Sequence, residues 1–323
     1  MEKLLNALSA KLVAPELAAR YEVGGRRSIL LCGPPGCGKT SLARVVASEI
    51  SRLSGRRCQF FVVKPGEWES PWVGEAQANI RRCFQALDEA AGKGMAVLFL
   101  DDVESVGRHR GGATSHHADK FTAAWLAELD GFADRGEVAV VSATNRKDLI
   151  DAALLERLSD VEITVPRPDS RGAARIFEIH LGEKVPVYPD GSVAAQTRRE
   201  IVETAVSQLF APNADGSCCV LHFRDGKTRP VSARELLSGR FIEQICRSAR
   251  DAAFVRHVAG GTAGVRVADM EKAVSDGVQR LSTTLTRHNA HAYLDDLPQD
   301  IDVVRVETPR RQVPRPIRYL NTE

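Results

Sequence analysis

Residues 33–40 read GPPGCGKT, are followed at once by Ser41, and come directly after the apolar run SILLC at 28–32. Few stretches restrict a fold so tightly. A glycine-rich turn between a buried strand and a helix lets backbone N–H groups converge on one point, where the helix adds the positive end of its dipole. Such a point holds a phosphate chain. Lys39 can reach the β- and γ-phosphates, and the Thr40 hydroxyl can ligate Mg²⁺. Gly33, Pro34, Pro35, Gly36, Cys37, Gly38, Lys39, Thr40 and Ser41 are therefore the candidate nucleotide-binding residues. The expected ligands are ATP and Mg²⁺.

A triphosphate site also needs an acid for the metal and a group that positions water. The run AVLFLDD at 96–102 supplies both at a strand's end. Asp101 is expected to assist Thr40 in holding Mg²⁺, and Asp102 stands in the place of the catalytic base. Most ATPases of this arrangement carry glutamate there. Aspartate is one methylene shorter, and a displacement of about 1 Å can lower a rate roughly 10²-fold. Downstream, VAVVSATN ends on Asn145, at a strand tip from which a carboxamide can orient the attacking water.

Around these motifs short apolar runs alternate with longer helical patterns: SILLCG, CQFFVV, AVLFLDD, VAVVSATN and VEITV, separated by stretches such as EAQANIRRCFQALDEA. Continuous apolar strands alternating with helices predict an α/β fold, a parallel sheet covered on both faces. Past Pro166 and Pro168 helical patterns dominate, interrupted by CCVLHFRDGKTRPV, whose Asp225–Gly226 predicts a β-hairpin. The expected organisation is a large nucleotide-binding domain over 1–168 opening with an amphipathic helix at 1–22, a smaller mainly helical domain over 169–285, and an extended C-terminal arm over 286–323.

Composition narrows the class. A net charge of +2 lacks the basic excess of a dedicated nucleic-acid binder, so nucleic acid is not the expected partner. No run is long and apolar enough for a membrane span, and the opening MEKLLNALSAKLVAPELAARYE mixes charges with apolar residues from its second position, unlike a secretory signal. Seven cysteines without a CxxC pair predict reduced thiols and a cytoplasmic protein.

With the three motifs in this order and a helical second domain, the chain resembles the AAA+ ring ATPases over nearly its whole length. The resemblance implies a homohexamer with ATP held between neighbours and a central pore. It lets Arg157, in IDAALLERLSD, be read as an arginine finger reaching the neighbour's γ-phosphate; the alternative is that it pairs with a surface acid. Arg240, in LLSGRFIEQ, matches an arginine that the helical domain contributes to the phosphates. His180, in RIFEIHL, matches a position that touches the base or sugar, with a satisfied core histidine as the alternative. In SPWVGEAQ, Trp72, Val73 and Gly74 fit a pore loop that grips an extended polypeptide through apolar contact area. GRHRGGATSHH (107–117) would be a second pore loop, its His116–His117 pair read as polar loop.

Two subfamilies share these features. LDDVES, GKTSL, the pore-loop tryptophan, the shortened finger segment and SGR resemble the pachytene-checkpoint ATPases. Their short bacterial forms remodel HORMA-domain proteins, complexed with a nucleotidyltransferase, in cyclic-oligonucleotide anti-phage signalling. WVGE and the hairpin-plus-helix layout of 217–257 resemble the proteasome-associated ATPases instead. Those relatives carry further domains before the motor and dock through a terminal tyrosine–hydrophobic pair, whereas Tyr319–Leu320 here precedes Asn321, Thr322 and Glu323. The expected function is thus an ATP-driven unfoldase acting on a HORMA-domain protein, with a proteasome-associated unfoldase as the alternative. Because of Asp102, an ATP-binding structural switch without appreciable hydrolysis is a third reading.

Overall fold

In a computed structural model, the residues described are 28–64, 74–106, 115–131, 138–189, 191–210, 217–294 and 301–308, with Arg20, Trp68 and Leu297. The expected helix at 1–22, Trp72, Val73, most of the second pore loop and the tail from 309 lie outside them. The chain divides into two compact units, Met1–Arg167 and Pro168–Glu323.

In the first unit β1 (Ser28–Cys32), α1 (Lys39–Ser54), β2 (Cys58–Val63), α2 (Glu75–Ala91), β3 (Met95–Leu100), α3 (Ser115–Gly131), β4 (Val138–Thr144), α4 (Ala152–Leu158) and β5 (Val161–Thr164) follow in order. The strands form one parallel sheet in the order β2-β3-β4-β1-β5. β3 and β4 are buried along their entire length, which is why their sequences are unbroken apolar runs rather than alternating ones. The two faces of β1 show the period of two directly. Ile29 and Leu31 pack with Ala43, Val46 and Ile50 of α1, whereas Leu30 packs into the cluster formed by α2, α3 and α4. In that cluster Trp125 is fully buried, stacked on Trp68 with centroids 5.9 Å apart and edge-on to Phe84 at 5.8 Å.

The strand order fixes where the chemistry can be. β4 lies between β1 and β3, so whatever follows β4 must stand between the glycine-rich turn after β1 and the aspartates after β3. The carboxyl ends of an open parallel sheet are where ligands bind, at the point where chain connections diverge.

The second unit holds α5 (Ser170–His180), α6 (Ala194–Phe210), β6 (Ser217–Phe223), β7 (Thr228–Ser232), α7 (Ala233–Leu236), α8 (Gly239–Val258), α9 (Val267–Thr284), α10 (Ala290–Tyr293) and β8 (Val303–Glu307). Its core joins Phe177 of α5, Ile201 and Ala205 of α6, Ile242, Ile245 and Ala249 of α8, and Met270 and Val274 of α9. α8 and α9 approach closely at Gly277, where a Cβ would come within 3.1 Å of the Phe241 ring and 3.2 Å of Ile245. The Asp225–Gly226 hairpin is present, with Gly226 at φ +80° and the Asp225 carboxylate accepting from Lys227 N at 3.0 Å. The region from 286 departs from expectation. Ala290, Leu294, Leu297 and Val303 are buried in this unit's core, and β8 pairs antiparallel with β6, so the described residues between 286 and 307 complete the second unit instead of starting an extended arm. The strand order of this sheet is β7-β6-β8. No helix among the described residues is long and apolar enough to cross a membrane.

Candidate functional site

The turn after β1 is built around backbone that favours glycine. Gly33 has φ +151°, and a Cβ there would meet the Val165 carbonyl oxygen at 2.2 Å; Gly36 and Gly38 have φ +76° and +92°. Gly38 opens α1, so Lys39 and Thr40 stand in its first turn. Lys39 is buried, and its ammonium donates to Gly33 O at 2.8 Å, Pro34 O at 3.0 Å and Asn145 Oδ1 at 2.6 Å. Burial pushes its pKa down, against the opposing pull of Cys37, Glu104, Asp101 and Asp102.

Thr40 Oγ1 donates to Asp101 Oδ2 at 3.2 Å, across the gap between α1 and the end of β3. Two oxygen donors of this kind side by side suit a hard cation such as Mg²⁺. The buried ammonium at the mouth of a glycine turn suits a phosphate. The residues present therefore fit both groups. No group of three or more His, Cys, Asp or Glu able to hold a metal by themselves occurs among the described residues. A cation here would need ligands from the nucleotide, as Mg²⁺ commonly takes them.

Asp102 has φ 54° and ψ 48°, and it is the only non-glycine residue with positive φ among the described residues. Left-handed backbone at a residue with a Cβ is strained and gathers at functional sites. Burial and then the neighbouring Asp101 raise the Asp102 pKa above the ordinary carboxylate value. Asn145 Nδ2 donates to Asp102 Oδ1 at 3.4 Å, so one carboxamide touches both Lys39 and Asp102. Glu104 was not singled out by sequence reasoning, yet its Oε1 accepts from Asn145 N at 3.3 Å. The signal available was a third acid in LDDVES, three residues beyond Asp101.

Arg157 lies in the last turn of α4, a helix capped by Asp151 accepting from Ala153 N at 3.0 Å and Leu154 N at 3.3 Å. Its guanidinium makes a two-pronged pair with Asp130 of α3, Nε to Oδ1 at 2.6 Å and Nη2 to Oδ2 at 2.8 Å, and Nη1 donates to Ala153 O at 2.9 Å. Within one chain the surface-acid alternative is thus the observed pairing. A guanidinium carries five N–H donors, so this arrangement leaves two for another acceptor.

The remaining candidates lie on other elements. Arg240 is exposed in the first turn of α8, and His180 is the half-buried last residue of α5, both in the second unit. Gly74 precedes α2 with φ +88°. His116 and His117, expected in a loop, belong to the first turn of α3.

Residues 29–167 match the family model described as "ATPase family associated with various cellular activities (AAA)", and residues 168–291 match the "ARC, AAA+ ATPase lid domain". A protein named "Proteasome-associated ATPase" from Acidimicrobium ferrooxidans is 34% identical over 286 residues, covering 84% of this chain and 49% of that protein. An "AAA ATPase forming ring-shaped complexes" from Corynebacterium diphtheriae is 35% identical over 271 residues, 82% of this chain and 51% of that protein. A "Proteasome-associated ATPase" from Streptomyces scabiei is 32% identical over 292 residues, 85% and 50% respectively. The chain spans about half the length of the curated relatives it matches.

Proposed function

The chain belongs to the AAA+ ATPases and carries an ARC-type lid, and from this premise we propose that it is an ATP-driven protein unfoldase working as a homohexameric ring, of the kind found with proteasomes. The observation that carries the reading is the constellation at the sheet's carboxyl edge: Lys39, Asn145 and Asp102 linked in one chain of contacts, with Thr40 against Asp101 beside them. Gly33 to Ser41 hold the phosphates. Thr40 and Asp101 hold Mg²⁺, which when bound offsets the charge that develops on the phosphates. Asp102 takes the proton of the attacking water and Asn145 orients it. Arg157 serves the neighbour's nucleotide, and Arg240 and His180 serve the chain's own from the lid. Trp72, Val73 and Gly74 grip the substrate and pull on it.

The relatives described above favour the proteasome-associated reading over the expected HORMA remodeller, since two of the three are named proteasome-associated ATPases. LDDVES and GKTSL, two of the features that suggested HORMA proteins, carry the nucleotide-handling residues of this reading, and such residues respond to phosphate rather than to the protein being unfolded. The two readings part in one experiment. Asp102→Asn is expressed in the native host, the ring is captured with ATP, and co-purifying proteins are identified, with nucleotide-free rings as control. ATP-dependent proteasome subunits or degradation substrates support the proposal. A HORMA-domain protein with a nucleotidyltransferase overturns it. Purified wild-type chain is expected to hydrolyse ATP and to extinguish the fluorescence of a tagged green fluorescent protein; ATP binding without turnover would mean the switch reading is right.

A further inference from the structure

We infer that Glu104 is a positioning residue for ATP hydrolysis, bracing Asn145 so that its carboxamide stays between Lys39 and Asp102; this rests on the ATPase reading above. Asn145 lies one residue past the end of the β1–β4 ladder, whose last pair is Cys32 with Thr144. Its backbone N–H therefore needs an acceptor other than a neighbouring strand. Glu104 Oε1 supplies one at 3.3 Å.

Glu104 belongs to the short 3₁₀ turn Val103–Ser105 that leaves Asp102. Two hydrogen bonds stiffen this turn, Ser105 N to Asp102 O at 3.0 Å and Val106 N to Val103 O at 3.0 Å. The contacts close a circuit. Asp102 leads through the turn to Glu104, Glu104 holds the Asn145 backbone, and the Asn145 side chain returns to Asp102 at 3.4 Å. Elements from two different strands are thereby locked at the spacing the water-handling pair requires. A carboxamide that must accept from one side and donate to the other tolerates little rotation of its backbone.

The test is a double-mutant cycle on the full chain, read in single turnover with labelled ATP so that slow variants remain measurable. Glu104→Ala is expected to lower the hydrolysis rate about tenfold while KM for ATP stays within about threefold, as misplacement of an orienting group does. Glu104→Gln, which keeps an acceptor oxygen, is expected to recover most of that loss. In an Asn145→Ala background Glu104→Ala should cost less than about twofold, because the two residues act as one unit. A full tenfold loss in that background, or a loss in Glu104→Gln equal to that in Glu104→Ala, overturns the inference. Backbone hydrogen exchange around Asn145 gives a readout free of turnover: faster in Glu104→Ala than in Glu104→Gln or wild type. A wild type that exchanges as expected but never hydrolyses ATP sinks the ATPase reading and leaves the brace standing. Unchanged exchange in Glu104→Ala sinks the brace alone.

Discussion

Replacing Gly33 by alanine tests whether the phosphate turn is specified by space as well as by backbone conformation. The added Cβ would sit 2.2 Å from the Val165 carbonyl oxygen and 3.2 Å from its carbon, about 1 Å inside ordinary contact. Val165 cannot step aside freely, because its N–H is bonded to Cys32 O at 2.7 Å, the residue just before Gly33. Relieving the clash therefore means prying β1 from the chain leaving β5. Overpacking of this kind costs about 1–3 kcal/mol, and non-glycine backbone at φ +151° adds about 1–3 kcal/mol of strain. Gly38 supplies the control, since at φ +92° an added Cβ would have nothing within 4 Å and incurs backbone strain alone, about 1–2 kcal/mol. For a unit of this size roughly 3 °C of Tm accompanies each kcal/mol. Gly33→Ala should then fall by roughly 12 °C and Gly38→Ala by roughly 4 °C. Both are followed by circular dichroism at one protein concentration, because assembly couples stability to concentration. Equal shifts, or a larger one for Gly38→Ala, would refute the argument that the Val165 carbonyl dictates glycine at 33.

Lys39→Met should weaken ATP binding roughly 10- to 100-fold by calorimetry, the worth of a charged hydrogen bond, and should lower Tm as well, because Gly33 O, Pro34 O and Asn145 Oδ1 lose their donor. Asp102→Asn should keep the left-handed backbone at φ 54°, which asparagine tolerates, yet lower turnover at least about 10²-fold in a phosphate-release assay through loss of the base. Asp102→Glu should raise turnover if the shorter acid limits the rate. The Arg157 guanidinium, by hydrogen bond and charge, holds the Asp130 carboxyl below its ordinary value. The pair's contribution is thus fully present above the ordinary carboxylate pKa of about 3.9 and lost as pH falls through the lowered one. Carboxyl NMR of Asp130 should show it titrating nearer that ordinary value in Arg157→Ala.

The sheet was readable because its central strands β1, β3 and β4 are buried along nearly their whole length, and the partly buried edge strand β2 is as apolar in sequence. SILLC, CQFFVV and VAVVSAT are continuous apolar runs, and they became β1, β2 and β4 with little adjustment. β8 escaped detection for the opposite reasons. It is short, it alternates as VVRVE with Val304 exposed, it follows the charged and proline-containing LDDLPQDID, and its partner β6 lies some eighty residues earlier. A pairing of that range has no local signature. The start of α3 was equally hidden, since Ser115, His116 and His117 carry no apolar period to announce a helix. At the site, residue types were legible and adjacency was not. Lys39 and Asn145 stand 106 positions apart and meet at 2.6 Å only because β4 is inserted between β1 and β3. Arg157 and Asp130, 27 apart, face each other only because α3 and α4 pack on one face of the sheet.

The same logic explains why chemistry came through and the substrate did not. Phosphate, a divalent cation and water impose geometry that few residue types satisfy, so the roles proposed for Lys39, Thr40, Asp101 and Asn145 could be read from their identities and order. A protein being unfolded imposes no such geometry on a motor that grips any extended chain by apolar area. LDDVES and SGR, read for nucleotide handling, do not name a substrate. Glu104 shows how the two kinds of information separate within a single motif: it belongs to LDDVES, yet what it does is accept from Asn145 N at 3.3 Å, a contact that on the proposed function serves hydrolysis whatever the substrate. Substrate choice must then be set by residues away from this edge of the sheet. Exchanging Glu104 or Asp102 should therefore change how fast the ring turns over and leave unchanged which proteins it captures.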